Sequence, residues 1–252
     1  MITHRIIPVL LLQDRALVKT RRFRHPAYVG DPINAIRIFN EKEVDELFLI
    51  DIGASRENRE PDYELLEDCA SECFMPLGYG GGICDRAQAT RLFDLGIEKV
   101  ALQTSLLQNP DLVPQIAERY GNQAVVASVD VRRNWRGQIK LWSAKEQRTL
   151  RRDWKEHLHT VQTLGAGEIL LNAVHRDGTG QGYDCTTISE AAQIVEIPII
   201  ALGGASTIQD FATAAGAGAA ALGAGRMFVF EGPHQAVLIS YPGYQELTEV
   251  LS

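Results

Sequence analysis

Three sets of residues in this sequence have types and spacing that could do chemistry. The first is a pair of glycine clusters, Gly80-Gly81-Gly82 and Gly203-Gly204, each lying between an apolar run and an amphipathic stretch. Backbone N–H groups in such loops and at the helix starts that follow can hold phosphate oxygens at close range. Gln103-Thr104 and the segment Gly223-Ala224-Gly225-Arg226 close two neighbouring apolar runs. Two phosphate cups facing each other across one opening would suit a ligand with a phosphate at each end. Glycines at these places would equally serve tight strand-to-helix turns. The second set is Asp51, Asp130 and Asp177, at or just after the ends of apolar runs, where carboxylates can work as general acids and bases. Asp130 is the expected catalytic group. Asp51 is equally readable as an acceptor for loop amides, and Asp177-Gly178 as a turn. The third set, Arg5, Glu46, Lys99 and Glu168, stands at or near the starts of four such runs. Facing inward, two cations and two anions would need to pair as a neutral ring, because an unpaired buried charge is very costly. Facing outward, they would be ordinary flanking charges.

The elements that must position these residues follow from periodicity. Eight short runs are nearly continuously apolar, at 5–12, 45–52, 74–79, 98–104, 123–131, 167–173, 197–202 and 219–223. Strands buried on both faces of a parallel sheet read this way. Helices are predicted at about 32–43, 61–72, 85–95, 111–120, 152–164, 184–195, 206–216 and 234–250. Asp31-Pro32, Asp153 and Ser206 sit near helix starts. Eight strand–helix pairs predict a single (β/α)8 TIM barrel over residues 1–252, with chemistry at the C-terminal ends of the strands. A shift of 122 residues lays Glu46 on Glu168, Gly81-Gly82 on Gly203-Gly204 and Gly96 on Gly218, as two half-barrels would. The polar segment 132–153 is the longest insertion and follows the fifth strand.

Composition narrows the classes. The chain has 252 residues and a formal charge of −7, with 45% hydrophobic and 23% charged residues, which is ordinary for a globular protein. The acidic balance argues against nucleic acid as a partner. Four cysteines make neither a disulfide framework nor a metal site at this spacing, so no metal or other cofactor is expected and the reducing cytoplasm is the expected compartment. No run reaches the roughly 20 apolar residues of a membrane span, and 6–12 reads as a buried strand rather than a signal peptide.

The strings RIIPVL, VGDPI, YGGGI, LGAGEILLN, RDGTGQGYD and ALGGAS resemble the cyclase subunit of imidazole glycerol phosphate synthase, a HisF-like protein, over essentially the whole chain. The resemblance implies a (β/α)8 barrel with a HisH-like glutaminase subunit docked on its N-terminal face. Ammonia would enter through a ring of four charges, matched by Arg5, Glu46, Lys99 and Glu168. It implies ligand-binding roles for Lys19, Gly82, Gln103, Thr104, Asp177, Gly178, Gly204, Gly225 and Arg226, and a catalytic role for Asp130. The ligand would be a bis-phosphorylated or nucleotide-type small molecule.

The sequence departs from that family at the catalytic end. Leu11 falls where the family has the first of two catalytic aspartates, and leucine transfers no proton. Asp14 would substitute only if its loop folded back. Gln103 stands for an asparagine, Leu202 for a serine and Arg226 for a serine, although an arginine can hold phosphate by charge. These departures, with VLLLQDRALVKT, ASECFMPLGYGGGI and MFVFEGPHQAVLISYP, resemble the HisF-like branch associated with surface-polysaccharide sugar amidation. In that branch a separate amidotransferase turns a sugar N-acetyl group into an acetamidino group. The expected function is therefore an ammonia-accepting, lyase- or cyclase-type subunit of a glutamine amidotransferase complex for that branch. The alternatives are a histidine-pathway cyclase that tolerates Leu11, and a non-catalytic module that activates a glutaminase and conducts ammonia.

Overall fold

The computed structural model describes residues 4–232 and 234–251. Eight strands form the barrel: β1 (Arg5–Gln13), β2 (Leu47–Asp51), β3 (Leu77–Gly80), β4 (Lys99–Leu102), β5 (Val125–Arg133), β6 (Glu168–Ala173), β7 (Ile199–Leu202) and β8 (Ala221–Ala224). Each pairs in parallel with the next. β8 returns to β1, with Arg5 opposite Ala221 and Pro8 opposite Ala224, so the sheet closes as a (β/α)8 TIM barrel. The helices that cover it are α1 (Pro32–Glu41), α2 (Tyr63–Glu72), α3 (Arg86–Asp94), α4 (Leu112–Tyr120), α5 (Trp154–Thr163), α6 (Cys185–Ala192), α7 (Ile208–Gly216) and α8 (Tyr244–Leu251).

Strand alternation divides the core in two. Outward residues such as Ile6, Leu49, Val100 and Leu171 pack under the helices in one large cluster. Inward residues Ile7, Val9, Phe48, Leu170 and Ile200 make a separate cluster that fills the lumen. Gly78 makes room for it: a Cβ there would lie 2.3 Å from the Phe48 ring, which is fully buried. Aspartate side chains cap α1, α2, α3, α5 and α6, with Asp31, Asp62, Asp85, Asp153 and Asp184 each accepting from a first-turn N–H. Such caps contribute about 1 kcal/mol each and account for part of the acidic balance.

The last helix starts at Tyr244, not 234; Phe230–Glu231 and Ala236–Val237 form a short antiparallel ladder before it. Ser206 does sit at the start of α7, next to the cap Thr207, which forms a reciprocal box with Asp210. Two hairpins stand on the C-terminal ends of barrel strands. Ala16–Arg21 and Arg24–Gly30 extend β1, and Ile139–Ser143 extends β5 within the polar 132–153 insertion. Asp14 and Arg15, both at positive φ, make the two-residue turn that reverses β1. That turn type favours asparagine or glycine, so its sequence signal is weak here.

Candidate functional site

At the N-terminal end, Arg5, Glu46, Lys99 and Glu168 face inward and close an alternating ring. Arg5 meets Glu46 at 2.5 Å and Glu168 at 2.7 Å; Lys99 meets Glu46 at 2.8 Å and Glu168 at 3.3 Å. Inward period-two placement does this: each charge continues the lumen-facing row of its strand, one step below residues such as Ile7, Phe48 and Leu170. Burial opposes the charge on Arg5, but Glu168 and Glu46 outweigh it and hold the guanidinium above its ordinary value. Glu46 is nearly inaccessible, whereas Arg5 is about one-third exposed, so the ring spans lumen and solvent.

At the C-terminal end a mouth opens over the lumen. It is lined by Leu11, Asp130, Asn172 and Leu202, and by both glycine clusters. Asp130 is buried, and its pKa is pushed up to about 7 by burial, against the Asn172 side-chain amide and with the help of the Asp177 charge. A carboxyl balanced there can give or take a proton near neutrality. Leu11 lines the same mouth and presents only methyl groups. Asp14 lies outside it, in a separate pocket with Arg15, Arg59 and Tyr79. Asp51, left open by the sequence, is a loop acceptor: its Oδ1 receives the N–H groups of Gly53 and Ala54 at 2.8 and 2.9 Å.

The two predicted cups stand on opposite sides. Gly82, Gln103 and Thr104 line one; Gly178, Gly204, Gly225 and Arg226 line the other. Backbone crowding enforces glycine at Gly204, where φ is +113° and a Cβ would lie 2.1 Å from the Gly182 carbonyl. Gln103 also reaches sideways, donating to the Trp142 carbonyl at 3.0 Å. Lys19 and Asp177 meet each other here: Nζ and Oδ1 are 2.7 Å apart in a buried pair, with the Thr20 hydroxyl donating to the other carboxylate oxygen. This contact ties the hairpin after β1 down on the loop after β6, and the Arg22 N–H donates to the Asp177 carbonyl beside it. Lys19→Met leaves Asp177 buried without a cation, so the hairpin should lift. Trypsin cleavage at the exposed Arg21, Arg22 and Arg24 should then accelerate about tenfold or more, and an unchanged rate would show that the pair does not hold the hairpin.

One network escaped sequence reasoning. His175 accepts from the Arg133 N–H at Nδ1 (3.3 Å), so its Nε2–H points at Asp184, 2.9 Å away. The Arg133 guanidinium joins Asp184 at 2.7 Å. Although burial alone would raise it, Asp184 is held well below the usual carboxylate range by hydrogen bonds from His175, Arg133 and Thr187. Both hairpins meet here, because Arg22 donates to the His175 carbonyl at 3.1 Å. The grouping spans Arg133 to Asp184, and only the RDG string hinted at it.

Comparison with known proteins decides the family. The profile described as "Histidine biosynthesis protein" matches residues 5–234. The chain belongs to that family. Within it, this HisF-like barrel is 48% identical, over 98% of its own length and 99% of the other, to a Pseudomonas aeruginosa protein provisionally named imidazole glycerol phosphate synthase subunit hisF2. A Vibrio vulnificus protein provisionally named as subunit hisF3 is 45% identical over all of this chain and 97% of its own. The Streptomyces coelicolor imidazole glycerol phosphate synthase subunit HisF is 38% identical over 90% of each chain. Among the described residues no helix of the HisF-like barrel is long and apolar enough to cross a membrane.

Proposed function

We propose that this chain takes ammonia from a HisH-like glutaminase subunit at its N-terminal ring and passes it through the lumen to the mouth, for amidation of a surface-polysaccharide sugar. The observation that carries this reading is the pairing of a complete charged ring with Leu11 at the mouth. Arg5, Glu46, Lys99 and Glu168 act as the gate. The apolar lumen above them favours neutral ammonia over ammonium, because a bare charge is expensive to desolvate. At the mouth, Gly82, Gln103 and Thr104 hold one phosphate or diphosphate group, and Gly178, Gly204, Gly225 and Arg226 the other. Lys19 and Asp177 close the hairpin over the ligand. Asp130 is the remaining acid/base group; Asp177 is held by Lys19 and Asp51 by loop amides, so with Leu11 at the first strand's end the two-carboxylate cyclase chemistry of the family lacks its first partner. The greater identity to the provisionally named hisF2 and hisF3 proteins than to the Streptomyces HisF supports a grouping apart from the latter.

A second reading, the histidine-pathway cyclase that makes imidazole glycerol phosphate, is favoured by Asp130 and the two cups. Turnover separates the two. The purified protein, given the phosphorylated aminoimidazole precursor of the histidine pathway and excess ammonia, should form no imidazole glycerol phosphate beside a working control cyclase. Measurable product would restore the cyclase reading and show that Leu11 is tolerated.

A further inference from the structure

The charge of this protein is strongly segregated. Residues 132–153 carry eight Lys or Arg against Glu146 and Asp153, in a chain whose formal charge is −7. Arg136, Lys140, Arg151 and Arg152 of this segment are exposed. At the tip, Trp135 is 87% exposed, whereas Trp142 and Trp154 are buried. The tip is nonetheless well braced. Asn134 Oδ1 accepts from the N–H groups of Arg136 and Gln138 at 2.9 Å, the Asn134 N–H donates to the Gln138 carbonyl, and Arg133 Nη1 donates to the Gly137 carbonyl. The Arg136 guanidinium lies over the Trp135 ring at 4.6 Å. Holding a tryptophan in water on a braced turn has no benefit for this fold. Trp and Arg at a rigid, protruding position are the side chains that dominate protein–protein binding energy.

The base of the same hairpin belongs to the mouth. Ala144 and Lys145 line it, Gln103 donates to the Trp142 carbonyl, and Arg56 donates to the Ala144 carbonyl at 3.3 Å. Arg21, Arg22 and Arg24 of the other hairpin are exposed on this end as well. A partner seated on Trp135 would thus stand beside the opening. We propose that the hairpin after β5 is a docking surface for an acidic face of a second protein, one that receives what leaves the mouth; this last clause rests on the function proposed above. Charge complementarity sets the partner's sign and speeds the encounter, and Trp135 supplies the apolar anchor. A protein is favoured over nucleic acid because the basic surface is confined to two short hairpins on an acidic molecule, with Trp135 and Tyr28 exposed singly, one on each hairpin, rather than as a track of stacked rings.

The test uses the full chain in its native cells with the photo-crosslinking amino acid p-benzoyl-phenylalanine at position 135, and separately at Phe74, which is 86% exposed near the other end of the barrel. The expected result is a discrete protein adduct at position 135, joined through an Asp/Glu-rich peptide. That protein, once identified and purified, is titrated with wild type, Trp135→Ala and the double variant Arg136→Glu, Lys140→Glu. Affinity should fall about tenfold or more in each variant and weaken with added salt. All three side chains are solvent-facing, so the variants should melt with wild type. An absent adduct, an adduct with nucleic acid, or equal affinity in the variants would overturn the proposal. A glutaminase adduct at position 74 with none at 135 overturns the docking surface alone. An acidic-protein adduct at 135 in a chain that carries no glutamine-derived nitrogen overturns the ammonia reading alone.

Discussion

Glu46→Ala should lower the melting temperature by about 6–12 °C, corresponding to a loss of about 3 kcal/mol. Glu46 is the most buried member of the ring and joins Arg5 to Lys99. Its removal leaves two cations facing each other with only Glu168 between them. Breaking a buried pair from one side costs several kcal/mol because the remaining charge loses both water and partner. The partial exposure of Arg5 keeps the effect at the lower end of that range. Glu46→Gln, which retains shape and one acceptor, should lose less. Thermal melts of the three proteins check the order, and a Glu46→Ala shift of under about 1 °C would mean that the ring is screened by water and structurally idle.

Asp130→Asn should be more stable than wild type above neutrality while losing whatever proton transfer the mouth performs. Burial raises the folded-state pKa to about 7, well above the ordinary carboxyl value of roughly 4. Between those values the folded protein holds a proton that the unfolded chain releases. The stability conferred by that proton is therefore complete below about pH 4 and is lost as pH rises through 7. The gap between the folded and unfolded values sets an upper bound of roughly 4 kcal/mol on the advantage of the neutral amide at about pH 8. Denaturant midpoints of wild type and variant should separate as pH rises and converge in mild acid. A gap independent of pH would show that Asp130 titrates like an ordinary carboxylate. Any reaction at the mouth that uses Asp130 should slow by about a hundredfold or more in the variant.

The strands were legible because burial on both sheet faces makes each a nearly unbroken apolar run, and the glycine clusters were legible because they sit where such runs give way to helices. The inward ring was only half legible. Position at a strand start does not say whether a charge points to the lumen or to solvent; the family resemblance implies the inward reading, and the ion pairs show the four charges facing one another. Asp51 could not be resolved from sequence because its role depends on where the Gly53 and Ala54 amides turn. The hairpin after β1 was hidden because its turns place Asp14, Arg15, Arg22 and Phe23 at positive φ, where glycine or asparagine is the usual mark. The Arg133–His175–Asp184 network joins three distant segments through side chains, and no local pattern announces such a meeting.

The most direct test of ammonia transfer is isotopic. The complex of this chain with a HisH-like glutaminase is given glutamine labelled with nitrogen-15 at the amide, in a bath of unlabelled ammonium, together with the proposed ammonia-accepting sugar amidotransferase and its substrate. The account predicts that the amidated sugar carries mainly nitrogen-15, and that Lys99→Ala shifts it toward the bath isotope. A product that follows the bath in wild type, or a label untouched by Lys99→Ala, would contradict passage of ammonia through the ring.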